Sequence, residues 1–444
     1  MKLQFMIFVM LILLITSCNT SKKLTKIEPT FQEKIAHIIL EDSTFSTSHT
    51  GLLVKEVGTG EVIFDHKSDQ YFTPASNTKL LTFYTALNVL GDYVHGLKVY
   101  ENADSVIIWG TGDASFLNGN LQINDFISEK LKSTSKPLYL STSNFQDVHY
   151  GSGWSWDDYN YGYQADKHSL PMYGNMVHFT KPEPESKFEV IPVYFRKLTV
   201  PNEAGQKATV MRMEDSNVFN YDYNKVKTTY KIDRYVPYLT SNTLQQTLLQ
   251  EHLGKPVELI NSQTHIGVAQ KLTTVHVDSL YALLLQPSDN FVAEQLLLNC
   301  GSELFDTLNT AKVIDWSKEN LLIDLPHEFQ WYDGSGLSRY NMITPGNMVY
   351  LLTLIHQKID QDRLFRLLPT GGESGTIKNL YADEKPFVHA KTGTLKNNHA
   401  LSGFLVGDSG KVYVFSFMNS NFLVSNKELK EGMDNILRIL KANL

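Results

Sequence analysis

Ser76-Asn77-Thr78-Lys79 sets a hydroxyl and an amine three residues apart. On a helix, residues at that spacing share a face within roughly 5–6 Å, so the Lys79 amine can reach the Ser76 hydroxyl. A serine near its ordinary pKa is a poor nucleophile and needs an adjacent base. Lys79 can be that base if burial and a second cation, Lys391, keep its amine unprotonated. The same pattern recurs at Ser133 and Lys136, but Pro137 follows there and drives Lys136 out of helical dihedrals. Ser76 instead follows Thr73-Pro74-Ala75 and opens an apolar periodic run, which predicts Thr73 as N-cap and Pro74 as the first helical residue. Ser76 in the first turn would have an unpaired backbone N–H to offer an oxyanion, at the positive end of a helix.

Two further motifs follow in order. Ser288-Asp289-Asn290 lies 212 residues after Ser76, and Lys391-Thr392-Gly393-Thr394 a further 103. Either one alone reads as a turn or a strand end. Together with the first they supply the rest of an acyl transfer. Ser288 can relay a proton between Lys79 and the leaving group. The Asn290 amide can hold a substrate peptide group. Lys391 and Thr392 can bind a substrate carboxylate, and the Thr394 N–H can be the second oxyanion donor. The ordered trio is the signature of class A β-lactamases and penicillin-binding proteins.

Over most of residues 50–420 the chain resembles the class C low-molecular-mass penicillin-binding proteins, the D-alanyl-D-alanine carboxypeptidase/endopeptidase family. The resemblance includes the three motifs, Gly110-Thr111-Gly112-Asp113, Gly151-Ser152-Gly153-Trp154-Ser155-Trp156-Asp157-Asp158, Ala293-Glu294, Asp333-Gly334-Ser335-Gly336-Leu337-Ser338-Arg339, and Gly371-Gly372 with Gly375-Thr376. It implies an α+β, multi-domain protein. Its serine β-lactamase/DD-peptidase-like transpeptidase domain would be an antiparallel sheet flanked by helices, split by a β-rich insertion. It implies cleavage of the terminal D-Ala–D-Ala bond of peptidoglycan stem peptides through an acyl-enzyme on Ser76, acylation of that serine by β-lactams, and no metal or organic cofactor. In the family the tryptophan-aspartate segment leans over the site. Asp158 is thereby a candidate contact for the amino end of a diamino-acid side chain, or else an aspartate fixing a local turn. Two departures stand out: Gly110–Ser115 reads G-T-G-D-A-S rather than G-G-G-D-P-S, and residues 180–270 align with little. Asp333–Arg339 reads as a turn that braces the site. Trp154, Trp156, Tyr159, Tyr161 and Tyr163 could stack on sugar rings, although aromatics in a β-rich module more often form its core.

Two other readings compete. A class A β-lactamase adds a glutamate in an E-x-x-L-N pattern; here Glu294 leads into a sequence out of that register. A catalytically inactive cell-wall-binding lipoprotein should have lost part of the trio, which is intact.

The elements that must position these residues are legible in outline. Phe31, Ile35, Ile38 and Ile39 recur at helical spacing. Leu52–Val57 and Glu61–Phe64 flank a Gly-Thr-Gly turn and predict a hairpin. Residues 76–90 read as helix. From 96 to 270 short β-like runs (Ser105–Trp109, Phe188–Phe195, Leu198–Val200) alternate with tyrosine-rich loops, giving one or two inserted modules. Helical periodicity resumes at Val277–Leu285 and Phe291–Leu298, and Thr344-Pro345 caps another helix. A hairpin, His399–Val406 with Val412–Met418, precedes a last helix with Leu429, Met433, Ile436, Leu437 and Leu440 on one face. The expected catalytic domain is therefore 31–95 plus 271–444, with 96–270 inserted.

The chain of 444 residues has 42% hydrophobic side chains, a formal charge of −7 and two cysteines. The charge, with no basic stripe, argues against nucleic acid. Two cysteines build neither a disulfide scaffold nor a four-thiolate zinc site, and no H-E-x-x-H or nucleotide-binding glycine loop occurs. Lys2, the apolar run Phe5–Ile15 and Ile15-Thr16-Ser17-Cys18 read as a lipoprotein signal over 1–17. Cys18 would carry lipid and residues 18–30 would form a tether. The expected location is periplasmic, and Asn19 after the cysteine favours the outer membrane. Cys300 is expected to be a buried helical bystander.

Overall fold

The computed structural model describes residues 28–444 apart from 120, 122–125, 184–186, 204, 206–207 and 230. The signal segment and Cys18 lie outside the described residues. Thr30, at the end of the expected tether, is the N-cap of the helix Phe31–Glu41 and forms a capping box with Glu33.

The two ends of the chain build one antiparallel sheet. Its strand order is Val388–Leu395, Asn398–Val406, Val412–Ser420, His49–Glu56, Val62–His66. The first strand of the chain lies against the last, with His49 opposite Ser420 and Glu56 opposite Tyr413. Both predicted hairpins are present, the second with Val406 opposite Val412. Alternate residues point to opposite faces, and both faces are apolar. Val54, Leu401, Phe415 and Phe417 pack with Ile35, Met433 and Leu437 of the terminal helices, Phe31–Glu41 and Asn426–Asn443. Leu53, Ala400, Phe404 and Met418 face a layer of internal helices that includes Lys79–Val89, Asn290–Phe305 and Pro345–Lys358. The protein is thus α+β, with an antiparallel sheet between helical layers. Thr344 caps its helix as expected, accepting from Asn347 N.

The intervening part leaves this body through the strand Tyr93–Glu101 and returns through Gln270–His276, its antiparallel partner. The pairing therefore runs beyond 96–270 at both ends. These strands lie side by side in a five-stranded mixed sheet, with Gln270–His276 at its edge, completed by Val106–Gly110, Leu138–Ser141 and Val257–Ile260. Two three-stranded sheets and the helices Phe126–Ser133 and Asn242–Leu253 accompany it. One continuous core, including Ile108, Leu140, Phe179, Phe195, Phe219 and Leu248, joins them. Phe188–Phe195 is not one strand: Glu189–Ile191 is extended and Val193–Leu198 coils into a 3₁₀ segment after Pro192. Ser133 closes a helix and bonds back to the Lys130 carbonyl, while Lys136 pairs with Glu101 at the surface, so the second serine-lysine match is structural.

Candidate active site

Ser76 does not sit in the first turn of an α-helix capped by Thr73. Ala75–Thr78 is a 3₁₀ segment after Pro74, and the α-helix begins at Lys79. The tighter winding helps the pair, because side chains three apart eclipse in a 3₁₀ turn. Lys79 Nζ lies 3.0 Å from Ser76 Oγ. Ala75, just before Ser76, is held at φ +49°, a left-handed conformation costing on the order of 1–3 kcal/mol in a residue with a Cβ.

The second motif is arranged by its aspartate. Asp289 caps the helix Asn290–Phe305, accepting from Val292 N at 3.0 Å. This leaves Ser288 just outside the helix at φ +64° and Asn290 as its first residue. Asn290 Oδ1 accepts from Lys79 Nζ at 2.6 Å, and its Nδ2 donates to the Tyr163 carbonyl at 3.0 Å. Ser288 Oγ accepts from Lys391 Nζ at 2.7 Å. Among the described hydrogen bonds Ser288 meets Lys391 and not Lys79.

The third motif lies on the edge strand Val388–Leu395. Thr392 Oγ1 donates to Thr376 Oγ1 at 2.7 Å, and Thr394 Oγ1 lies 2.8 Å from His399 Nδ1. Its glycine has a steric reason. A Cβ on Gly393 would stand 2.4 Å from the Pro74 carbonyl oxygen and 2.9 Å from Ser76 N. The strand can lie against the Ser76 turn only without a side chain there. Asn77 closes the contact from the other side, donating its Nδ2 to the Lys391 carbonyl at 2.9 Å.

Burial lowers Lys79 to about 8, against the charges of Asp333, Asp289 and Glu294, which push it back up. Burial and then the neighbouring Lys79 charge depress Lys391 well below its ordinary range, a like-charge repulsion that the two amines share. Glu294 is buried beside Asp333, and burial and that charge raise it to about 7. Its Oε1 accepts from Ser335 N at 2.7 Å, so it sits behind the site rather than at a water position in front of Ser76.

Ser76, Asn290 and Thr394 line a cavity of about 610 Å³. Asp157, Asp158, Tyr163, Arg339 and Lys396 form other parts of its wall. Asp158 lies by Tyr163, whose hydroxyl pKa is pushed up by burial and then by the Asp158 charge, and both form part of the wall. The aromatics are not a module core: Trp156 is 74% exposed, and Tyr161 and Tyr163 stack on each other with their centroids 5.3 Å apart. Ser335 was expected only as part of a bracing turn, yet its carbonyl accepts Lys79 Nζ at 2.7 Å. Backbone acceptors such as this and the Tyr163 carbonyl leave no mark in residue type. Asn77 left one, an amide inside S-x-x-K at a helix start. Cys300 is buried in its helix, where burial raises the thiol pKa.

The sequence profile of the D-Ala-D-Ala carboxypeptidase 3 (S13) family matches residues 31–443. The D-alanyl-D-alanine carboxypeptidase DacB of Haemophilus influenzae is 25% identical over 415 residues, covering 84% of this chain and 85% of that one. The D-alanyl-D-alanine carboxypeptidase of Actinomadura sp. (strain R39) is 24% identical over 434 residues, covering 86% and 79%. The crystal structure of penicillin binding protein 4 (dacB) from Haemophilus influenzae superposes with a TM-score of 0.69 at 19% identity, over 92% of this chain and 97% of that one. The same protein has been solved complexed with a β-lactam.

Proposed function

We infer that this chain, which belongs to the D-Ala-D-Ala carboxypeptidase 3 (S13) family, cleaves its substrate through an acyl-enzyme on Ser76. It is a serine-type D-Ala-D-Ala carboxypeptidase acting on peptidoglycan stem peptides. The observation that carries the residue assignment is the environment of Lys79 Nζ. Two of its neighbours, Asn290 Oδ1 and the Ser335 carbonyl, are pure acceptors, and the third is Ser76 Oγ. A neutral amine gives its two N–H bonds to the acceptors and turns its lone pair to the Ser76 hydroxyl.

In the reaction that follows, Ser76 Oγ bonds to the carbonyl carbon of the penultimate D-alanine while its proton passes to Lys79. The backbone N–H groups of Ser76 and Thr394 are assigned to the oxyanion. The C–N bond then breaks, and the proton that Lys79 took from Ser76 passes to the amine of the departing D-alanine through Ser288, whose hydroxyl Lys391 holds, leaving Lys79 neutral again. Lys391, Thr392 and its partner Thr376 are assigned to the terminal carboxylate. Water then cleaves the ester and restores Ser76. β-Lactams acylate the same oxygen. Asp158 is assigned to the amino end of a diamino-acid side chain, on the strength of its place in the wall of the cavity.

We also assign endopeptidase cleavage of cross-linked stems, a cleaved signal over 1–17, a lipid on Cys18 and an outer-membrane, periplasm-facing location. These rest on the resemblance and on the apolar run before Cys18. No helix among the described residues is long and apolar enough to cross a membrane. Incorporation of radiolabelled palmitate that disappears in Cys18→Ser is expected; equal labelling of both proteins would contradict the anchor. For the reaction, mass spectrometry of synthetic pentapeptide and of cross-linked muropeptide dimers is decisive. Loss of one alanine from the first, and monomers from the second, are expected. Unchanged pentapeptide would contradict the reading.

A further inference from the structure

Trp154 donates its indole N–H to Asp333 Oδ2 at 2.8 Å, from the inserted part of the chain to the catalytic body. Asp333 is fully buried, and its carboxylate gathers the turn that follows it. It accepts from Gly336 N at 2.9 Å, Ser338 N at 2.7 Å and Asn341 Nδ2 at 2.7 Å. Between these anchors lies Ser335, whose carbonyl receives Lys79 Nζ at 2.7 Å.

A second contact presses the same two segments together. Gly153 is at φ +78°, and a Cβ there would stand 2.8 Å from Ser338 Oγ and 2.9 Å from the Tyr340 ring. The neighbouring Ser155, Asp157 and Asp158 line the catalytic cavity, whereas Trp154 is not among the described residues that do. Its indole faces the back of the site.

We propose that Trp154 is a positioning residue: the inserted part of the chain, through the indole N–H and Asp333, holds the Ser335 carbonyl that aims the Lys79 amine at Ser76. The inference rests on the reading of Ser76 as nucleophile and Lys79 as base. Without the indole, Asp333 Oδ2 keeps, among the described donors, Ser338 N at 2.7 Å and the longer Ser335 Oγ contact at 3.3 Å, and the turn shifts toward them. Among the described residues the carbonyl and Asn290 Oδ1 are the pure acceptors orienting the amine, and a base misplaced by about 1 Å costs on the order of 100-fold in rate. Gly336, Leu337 and Arg339 of the same turn line the cavity, so the signature of the role is a slowed acylation step, whether or not binding also shifts.

The test is stopped-flow acylation of the full protein by a chromogenic β-lactam, separating the binding constant from the first-order acylation step. Trp154→Phe keeps the ring and removes the N–H. Gly153→Ala disturbs the docking without touching the indole. Both are expected to slow the acylation step by about 10- to 100-fold, more than they change the binding constant. A weakened binding constant with normal acylation would make Trp154 a substrate contact and overturn the proposal, as would two variants in which neither constant moves. If Trp154→Phe does not fold, Gly153→Ala decides alone. Ser76→Ala is run beside them: complete loss of acylation upholds the underlying reading, and residual acylation overturns that reading first and this proposal with it.

Discussion

Lys79 is fully buried and still close to neutrality, and pH is the variable that exposes this. At a pKa of about 8, about a tenth of the amine is unprotonated at pH 7. Because the base must be unprotonated, acylation of Ser76 should rise with pH and level off above about 8. A rate constant for β-lactam acylation that is flat between pH 6 and 9 would contradict Lys79 as the base. A second prediction concerns the cavity wall. Asp158→Ala should raise KM for a diaminopimelate-containing peptide about tenfold, the loss of one charge-assisted hydrogen bond, and leave kcat unchanged. An unmoved KM would return Asp158 to the role of a turn residue. Glu294 has an assignment of its own at this scale: committed to Ser335 N behind the site, it is not placed to activate a deacylating water as a class A β-lactamase requires.

Elements bring these residues together by close approach. Gly393→Ala should cut acylation by more than about 100-fold, because the edge strand must retreat from Pro74 and Ser76; stopped-flow acylation measures it, and a normal rate would contradict the steric account. Another joint can be tested through stability. Glu303, on the helix that begins at Asn290, receives Lys271 Nζ at 2.6 Å and lies 3.0 Å from His95 Nδ1, both on the strands that enter and leave the inserted sheet. Burial raises its pKa, but the hydrogen bonds from His95 and Lys271 outweigh it and bring the carboxyl to about 2. Glu303→Gln should therefore cost about 1–2 kcal/mol at pH 7, allowing for the half-exposed Lys271. A folded pKa below the unfolded one gives stability that is full above the unfolded value, about 4.3, and is lost as pH falls through about 2. The difference in melting temperature between the two proteins should close over that window. The elements themselves were largely legible in the chain, because Leu52–Val57, the C-terminal hairpin and the last helix carry clean apolar periods. The 3₁₀ turn at Ser76 was not, since Thr73-Pro74 is equally a helix start. Residues 180–270 were not either: their strands are three to six residues long, too short for a period to show. The trio was legible as residue types. Ser335 as an acceptor was not, because a carbonyl belongs to every residue.

At the scale of the whole molecule, the catalytic body closes only when the strand His49–Glu56 meets Val412–Ser420, so its two halves depend on each other across the inserted part. That arrangement puts Ser76 after the second strand, Ser288 after the inserted sheet and Lys391 on the last edge, three points brought to one cavity by the sheet and its internal helices. The inserted part is joined to this body by Glu303 near one end of the Asn290 helix and by Trp154 beside the cavity. The −7 charge says little about the substrate; two lysines, buried and within reach of two serines, say much more. The central claim is that Ser76 is the residue acylated. Intact-mass spectrometry of the protein incubated with benzylpenicillin, followed by peptide mapping, tests it most directly. A single adduct of one penicillin, mapping to Ser76 and absent from Ser76→Ala, is predicted. An adduct on another residue, or one that persists in Ser76→Ala, would contradict it.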